Sequence, residues 1–206
     1  GPPRSTHCIS SAASDVYKRQ YTICYQEEYH YYLIEMSLPY IETDFISSSE
    51  CQRLIDFANA NKSADVVNHN EEYSTDVEWV DHGATYYGNN VDPVTVESDD
   101  SVVVKVTEKC KTFADCELTY VGVVRWPVGT FMKPHVDTNT GHKENILAAM
   151  LYLNEGFNGG DLIFQDLVVK PEPGKLIIFS NTEDLHYVNK VEGSERFALS
   201  FWYSKP

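Results

Sequence analysis

After Cys116 the chain becomes a series of short hydrophobic segments that alternate with polar turns. The clearest turn signals are Gly159-Gly160 and Pro171–Gly174. Many short strands at regular spacing are typical of antiparallel barrels and jelly rolls. The predicted strands are Leu118–Trp126, Phe131–Val136, Ile146–Leu153, Asp161–Phe164, Lys175–Phe179, His186–Val188 and Arg196–Tyr203.

Two helices are predicted before these strands. Ser47 and Glu50 have the spacing of a capping box, and the apolar residues that follow recur at helical spacing, which predicts a helix over 48–60. A second helix is predicted over 98–113, with strand as the alternative because of its valines. Cys51 and Cys110 fall on the apolar helix faces, and we expect both to be buried free thiols.

The segment 62–97 is polar and interrupted by glycine and proline, which indicates a long irregular connection. Two interpretations remain open. The segment is either a substrate-covering loop that carries Trp79, Tyr86 and Tyr87, or an ordinary excursion over the surface.

The remaining N-terminal part divides into an appendage and the start of the domain. Residues 1–20 have no periodicity and are expected to be a disordered extension, followed by a single domain over 21–206. Within that domain, the tyrosine-rich segment 21–36 and residues 38–46 are each predicted to form a strand.

Composition narrows the classes of function. The 206 residues carry 31 acidic and 16 basic side chains, a net charge of −15, which argues against nucleic-acid binding because like charges repel. No apolar run is long enough to span a bilayer and no secretory signal is visible, so a soluble cytoplasmic protein, favoured as a monomer, is expected. The five cysteines include no C-x-x-C pair, which argues against a disulfide framework or structural zinc.

The residues that carry candidate chemistry begin with His135 and Asp137. Two positions apart on a strand, they project to the same face and could contact one ion. A histidine and an aspartate at this spacing also arise by chance, and a structural hydrogen-bonded pair is the alternative. His186 lies far enough along the chain to arrive on a neighbouring strand, and two histidines with one carboxylate suit Fe(II). We expect the other histidines to be surface residues: His7, His30, His69, His82 and His142.

Arg196 opens a strand whose alternate positions are Ala198, Ser200 and Trp202. An arginine that faces inward needs an anionic partner, because burying an unpaired charge is costly. The partner is either an acidic side chain or the carboxylate of a ligand. We favour a ligand, since guanidinium groups bind carboxylates bidentately and the small neighbours leave room.

The ordered motifs of the chain resemble the 2-oxoglutarate- and iron(II)-dependent dioxygenases, and within them the prolyl 4-hydroxylase-like branch. The resemblance extends from about Leu38 to Tyr203. Its motifs are the strand–helix entry Asp44–Ile55, the stretch Arg125–Asp137, the central hairpin Tyr152–Leu162, the strand Pro171–Phe179 and the terminal strand Arg196–Tyr203.

The resemblance implies a fold and a set of site residues. The fold would be α+β and mainly β, with a double-stranded β-helix (jelly-roll) core and N-terminal helices packed on one sheet. The metal ligands would be His135, Asp137 and His186, while Arg196 and Tyr152 would bind the distal carboxylate of 2-oxoglutarate.

Four further positions have counterparts in the family. Leu162 and Val188 would pack against the carbon chain of the co-substrate, with ordinary barrel core as the alternative. Trp126 stands where the family usually has tyrosine, and would therefore bring an indole to the metal-bound end of the co-substrate. Asn145 stands where the family commonly has arginine.

The resemblance also implies an activity that uses Fe(II), 2-oxoglutarate and O2, with ascorbate as a candidate reductant. The reaction would hydroxylate a prolyl residue in a protein or peptide while 2-oxoglutarate is decarboxylated to succinate and CO2. The carboxylate of Asp137 favours hydroxylation over halogenation. The alternatives are a hydroxylase of a free amino acid or small metabolite and a non-catalytic metal- or ligand-binding module. A nucleic-acid demethylase is disfavoured by the acidic charge.

Overall fold

The computed structural model describes residues 38–61, 68–80, 84–137 and 145–206, which form two helices and eleven strands. The strand predicted over 21–36, the extension expected over 1–20 and four of the histidines expected at the surface therefore lie outside the described residues. The helices are α1 (Ser48–Ala60) and α2 (Ser101–Cys110). The strands are β1 (Tyr40–Glu42), β2 (Tyr86–Tyr87), β3 (Asp92–Thr95), β4 (Glu117–Trp126), β5 (Phe131–His135), β6 (Asn145–Tyr152), β7 (Leu162–Phe164), β8 (Leu167–Val169), β9 (Leu176–Ser180), β10 (His186–Val188) and β11 (Arg196–Ser204).

The strands form two antiparallel sheets. The larger sheet has the order β1-β9-β6-β11-β4-β3, and the smaller sheet has the order β2-β5-β10-β7-β8. Strands distant in sequence, such as β11 and β6, therefore lie side by side. This is the mainly β, jelly-roll architecture that the sequence predicted.

Strict alternation along the strands of the larger sheet separates two hydrophobic cores. On β11, Leu199 and Phe201 pack in the core that includes the helices, whereas Ala198 and Trp202 belong to the cluster between the two sheets. Side chains two apart on a strand share one face, so one strand contributes to both cores. The cluster between the sheets contains the candidate site, and the helices therefore lie on the far side of the larger sheet.

Helix α1 begins with the predicted capping box. The hydroxyl of Ser47 accepts a hydrogen bond from the backbone N–H of Glu50, and the Glu50 carboxylate accepts one from the Ser47 N–H at 2.8 Å. Its apolar face buries Cys51, and that of α2 buries Cys110, each as a free thiol as predicted. Helix α2 is confirmed over a shorter range than predicted, and neither described helix has the length and apolarity needed to cross a bilayer.

The predicted strands after Cys116 are all present within two residues of their predicted bounds. The strand predicted over 38–46 is shorter, since only Tyr40–Glu42 pairs with β9. The segment 62–97 contains two strands, β2 and β3, that its composition did not indicate. His69 is exposed, as expected.

Candidate metal and co-substrate site

The two histidines of the site meet because their strands are paired. His186 at the start of β10 lies directly opposite His135 at the end of β5, and their ring centroids are 4.3 Å apart. Both side chains are buried, with 1% of His135 and 4% of His186 exposed. Strand pairing therefore brings together two residues that are far apart in the sequence.

A β-bulge in β5 shapes the wall beside the histidines. His186 pairs with His135 and Val188 pairs with Met132, so two positions on β10 correspond to three positions on β5. The extra residue shifts the alternation of β5 by one. As a result, Met132 and His135 both line the same cavity.

Each histidine is oriented by the backbone two residues before it. Nδ1 of His135 lies 2.7 Å from the carbonyl oxygen of Lys133, and Nδ1 of His186 lies 2.8 Å from the carbonyl oxygen of Asp184. A carbonyl oxygen only accepts, so each Nδ1 carries the proton and donates it. Nε2 of each ring keeps a free lone pair, as a metal ligand requires.

Asp137, two residues after the end of β5, completes the group. Its Oδ1 lies 3.5 Å from Nε2 of His135, and its carboxylate also accepts a hydrogen bond from the side chain of Trp202. Burial raises the pKa of this carboxyl group, but its interactions with His135, His186 and Trp202 outweigh burial and leave the pKa below its usual value. Asp137 is therefore ionised at neutral pH.

The environment of His186 keeps the ring neutral. Burial, followed by the nearby charge of His135, lowers the pKa of His186 to about 4, against a weaker opposing effect of Asp137. A neutral imidazole is the form that coordinates a metal. Protons therefore do not compete for this ligand at neutral pH.

The three side chains together form a candidate metal site. One ligand atom from each of His135, Asp137 and His186 lies within 4.8 Å of the others. Two imidazoles and one carboxylate on one side of an ion suit non-haem Fe(II) and leave positions for other ligands. The structure thus brings together all three residues predicted from the sequence.

A cavity of about 250 Å³ lies next to these three residues. It exists because small side chains occupy inward-facing positions of β4, β6 and β11, where larger ones would fill the space between the sheets. Ser200 stands opposite Gly122, and Ala148 stands opposite Trp202. The wall is otherwise aromatic and apolar, and includes Tyr86, Tyr120, Trp126, Met150, Leu162 and Val188.

Arg196 is completely buried against this wall. The centre of its guanidinium lies 4.6 Å from the ring centroid of Trp126 and 5.0 Å from that of Tyr152, and its Nη2 donates to the sulfur of Met150 at 2.9 Å. No acidic side chain among the described residues pairs with it, and a thioether is only a weak acceptor. A buried cation in this state indicates a missing anion.

The polar atoms around Arg196 point to the same conclusion. Its Nε and Nη1, the hydroxyl of Tyr152 and Nε1 of Trp126 are buried and have no hydrogen-bond partner within the described part of the chain. Burial raises the pKa of the Tyr152 hydroxyl, although Arg196 opposes the shift, so the group stays protonated as a donor. A carboxylate would accept from these donors, and the donor set therefore fits a dicarboxylate co-substrate.

A glycine in the central hairpin makes room for the arginine. Gly160 has a φ of +65°, and a Cβ there would lie 2.8 Å from Cδ of Arg196. The left-handed backbone and this close approach both require glycine. The turn predicted at Gly159-Gly160 is thus part of the wall that positions Arg196.

The other predicted residues divide into two groups. Trp126, Leu162 and Val188 line the cavity, whereas Tyr152 is completely buried beside Arg196. Asn145 is buried at the start of β6, where its side-chain oxygen accepts a hydrogen bond from Thr119. Asn145 is not among the residues that line the cavity.

Several residues that line the cavity were not predicted as site residues, among them Tyr86, Tyr120, Met150 and Trp202. Two-residue periodicity could have identified three of these residues. Tyr120, Met150 and Trp202 share strand faces with Trp126, Tyr152 and Arg196, respectively. Tyr86 lies in the segment 62–97, for which a substrate-covering loop was one of the two interpretations, but no strand periodicity identified it as a cavity residue.

Comparison with known families agrees with this geometry. The family model described as "2OG-Fe(II) oxygenase superfamily" matches residues 121–204, which include all the predicted site residues. The match is confined to this part of the chain, which is less than half of the 206 residues. The match begins in β4 and ends at the last residue of β11, and so spans both sheets.

Solved structures of 2OG oxygenases share the fold. A prolyl-4-hydroxylase from Pseudomonas putida has a TM-score of 0.59 at 18% identity, covering 81% of this chain and 92% of its own. The viral collagen prolyl hydroxylase of Paramecium Bursaria Chlorella virus-1 has a TM-score of 0.58 at 17% identity, covering 84% and 99%. A Trichoplax adhaerens prolyl hydroxylase, solved with a hypoxia inducible factor peptide fragment, has a TM-score of 0.53 at 16% identity, covering 80% and 82%.

Among curated proteins, prolyl 3-hydroxylase 2 of Mus musculus and that of Homo sapiens are each 34% identical to this chain over 65 residues. The match covers 28% of this chain and 9% of each relative. The likeness is thus confined to a small part of those proteins.

Proposed function

We propose that the protein is a 2-oxoglutarate- and Fe(II)-dependent dioxygenase that hydroxylates a prolyl residue within a polypeptide. The observation that carries the proposal is a buried Arg196 without an anionic partner among the described residues, packed against Trp126 in the wall of the cavity that contains the His135, Asp137 and His186 cluster. The match of residues 121–204 to the superfamily model and the hydroxylases that share the fold support it.

His135, Asp137 and His186 would hold the iron. Asp137 is ionised and His186 is neutral at neutral pH, so these two groups need no deprotonation before they bind a divalent cation. With O2 and 2-oxoglutarate, a ferrous ion held in this way supplies the oxidising power for C–H hydroxylation, and succinate and CO2 are released.

Arg196 would bind the distal carboxylate of 2-oxoglutarate. A carboxylate is a far stronger acceptor than the Met150 sulfur that Nη2 now contacts, and would displace it. The hydroxyl of Tyr152 would donate to the same group, and Leu162 and Val188 would pack along the carbon chain and exclude water. The indole N–H of Trp126 would donate in the position where the family usually has a phenol hydroxyl.

The charges of the cavity favour a polypeptide over a free amino acid. Among the described residues that line the cavity, the only acidic or basic side chains are those of the metal cluster: His135, Asp137 and His186. The other lining side chains are uncharged. A free amino acid brings an ammonium and a carboxylate, which would be costly to bury without partners. A prolyl residue inside a polypeptide brings neither charge.

Incubation of the purified protein with Fe(II), ascorbate, O2 and 2-oxoglutarate tests the proposal. A panel of acetylated, amidated Xaa-Pro-Xaa peptides is compared with free L-proline and other free amino acids. We expect succinate to form and peptides to gain one oxygen by mass, and His135→Ala to lose both the metal and the product. A mass gain confined to free amino acids would replace the polypeptide with a metabolite as substrate, and tight metal binding without consumption of 2-oxoglutarate would indicate a non-catalytic module.

A further inference from the structure

The hydroxyl of Tyr120 is a polar group inside the cavity that the proposed chemistry does not use. Tyr120 lines the cavity and stands directly across from Trp202, with the two ring centroids 4.9 Å apart. Burial raises the pKa of this phenol, and no hydrogen bond with another described residue contributes to the shift. The hydroxyl is therefore a protonated donor that has lost part of its water without gaining a hydrogen-bond partner among the described residues.

Gly122 holds this phenol in place by the absence of a side chain. A Cβ at Gly122 would lie 2.5 Å from the Tyr120 hydroxyl oxygen and 3.0 Å from Cζ. The backbone of Gly122 is not in the left-handed region, so its conformation would accept any residue. Glycine weakens the middle of a strand, and its presence here is explained by the close approach of the Tyr120 ring.

The phenol consequently leans along β4 from Tyr120 over Gly122, the direction in which the strand continues to Trp126. Its neighbour Trp202 hydrogen-bonds the Asp137 carboxylate. Burial raises the pKa of Tyr86, and the nearby groups Tyr120 and Asp137 raise it further. Tyr120 therefore lines the same cavity as the metal cluster and is connected to Asp137 through Trp202, so a substrate that occupies the cavity would lie within reach of its hydroxyl.

We propose that Tyr120 is a specificity-determining residue whose hydroxyl donates a hydrogen bond to a backbone carbonyl of the polypeptide substrate. This inference rests on the proposed function. An Xaa-Pro linkage has carbonyl acceptors but no N–H, so a hydroxyl donor is the complementary group. The faces of Tyr120 and Trp202 supply an apolar surface for the pyrrolidine ring, while the zwitterion of free proline would find no charged partner there.

Two substitutions distinguish the contribution of the Tyr120 hydroxyl from the contribution of the position of its ring. Tyr120→Phe removes one oxygen and keeps the ring, whereas Gly122→Ala forces the ring out of its position. Combining them relieves the closest collision, because the hydroxyl oxygen is the atom nearest the added Cβ. Tyr203→Phe is the matched control, since it removes a phenol hydroxyl from the neighbouring position of β11 that packs in the other core.

The test is the dissociation constant of blocked Xaa-Pro-Xaa peptides and of poly(L-proline), measured without O2 on protein loaded with Mn(II) and 2-oxoglutarate. We expect Tyr120→Phe to weaken peptide binding about tenfold, as expected for one lost hydrogen bond, and to leave 2-oxoglutarate binding unchanged. Gly122→Ala should weaken peptide binding at least as much. The double variant should lose less peptide affinity than the two single losses combined. Tyr203→Phe should bind the peptides as tightly as the wild type.

Equal peptide affinity in Tyr120→Phe and the wild type would overturn the inference, and so would a wild-type protein that consumes 2-oxoglutarate yet binds none of these peptides. The proposed function fails in a different way, when no mixture yields succinate. Since Tyr120→Phe adds no atoms to the cavity, it decides the question even if Gly122→Ala does not fold.

Discussion

The carboxylate of Asp137 is held by neighbours on two sides. His135 approaches it at 3.5 Å, and the indole of Trp202 donates a hydrogen bond to it from β11. Groups that orient a metal ligand contribute to metal affinity although they never touch the ion. We therefore propose that Trp202 positions Asp137 for the metal as well as lining the cavity.

Trp202→Phe tests this role. The phenyl ring keeps much of the packing but cannot donate to Asp137, so we expect the dissociation constant for Mn(II) to rise by about 10- to 100-fold. Titration of the metal-free protein, followed by electron paramagnetic resonance of the remaining free Mn(II), measures it. Tyr203→Phe is the control, because its hydroxyl contacts Thr107 on the helix side. Unchanged affinity in Trp202→Phe would mean that the hydrogen bond does not orient the ligand.

The buried state of His186 predicts how the metal-free protein responds to acid. The folded-state pKa is about 4, and the unfolded chain has the ordinary value of about 6.5. Between these values the unfolded state binds more protons, so stability is complete above pH 6.5 and falls as the pH drops toward 4. Asp137, whose pKa is also lowered, adds a loss of the same sign at lower pH.

Thermal and denaturant unfolding at pH 7 and pH 5 measure this effect. We expect the metal-free wild type to lose about 2 kcal/mol of unfolding free energy between the two values, and His186→Gln to lose clearly less. A wild-type protein as stable at pH 5 as at pH 7 would contradict a neutral, buried His186.

Sequence spacing was sufficient to predict that His135, Asp137 and His186 come together, but not the groups that support them. A histidine and aspartate two apart on a strand, a distant histidine and an inward arginine are visible as a pattern. The carbonyl partners of the two imidazoles depend on the local course of the backbone before each strand. The hydrogen bond from Trp202 depends on how β11 and β5 face each other across two sheets, and no spacing rule gives that.

The central hairpin between β6 and β7 positions Arg196 through one glycine. Gly160 and Gly156 both have left-handed backbones, with φ of +65° and +90°, so alanine strains the backbone at either position by roughly 1 kcal/mol. They differ in their surroundings. A Cβ at Gly160 meets Cδ of Arg196 at 2.8 Å, whereas a Cβ at Gly156 meets no described atom within 4 Å.

The pair Gly160→Ala and Gly156→Ala isolates the effect on the arginine. Both variants should unfold at lower denaturant concentration than the wild type, but only Gly160→Ala should weaken 2-oxoglutarate binding, by about tenfold or more. Calorimetric titration of the Mn(II)-loaded variants distinguishes them. Equal 2-oxoglutarate affinity in the two variants would show that Gly160 does not position Arg196.

The strands that escaped prediction are short edge strands. β3 contains Pro93, and a proline in the sequence argues against a strand. However, β3 lies at the edge of the larger sheet, where a residue without a backbone N–H is tolerated. β2 and β8 are the two edges of the smaller sheet and span two and three residues, too few to show periodicity. The long, alternating strands β4, β6 and β11 were predicted nearly completely because each buries both faces.

In the protein as a whole, the larger sheet separates the hydrophobic core that contains the helices from the candidate site between the two sheets. Residues such as Leu54, Val106, Leu199 and Phe201 pack between helices and sheet, and each fully buried apolar side chain contributes about 1.5 to 3 kcal/mol. The other face of the same sheet can then carry small residues and a cavity. The fold class was predictable because strand alternation encodes both faces, whereas the cavity itself depends on which inward positions are small.

The calorimetric titration of 2-oxoglutarate into the Mn(II)-loaded protein without O2 tests most directly whether the metal cluster and Arg196 form one site. We predict one 2-oxoglutarate bound per chain, with affinity reduced at least 100-fold in Arg196→Met and lost on removal of the metal, because each charged hydrogen bond contributes about 1.5 to 3 kcal/mol. Arg125→Met is the control, since Arg125 pairs with Asp92 and Glu195 on the same sheet. Equal affinity in Arg196→Met and the wild type, or in the presence and absence of metal, would contradict the account.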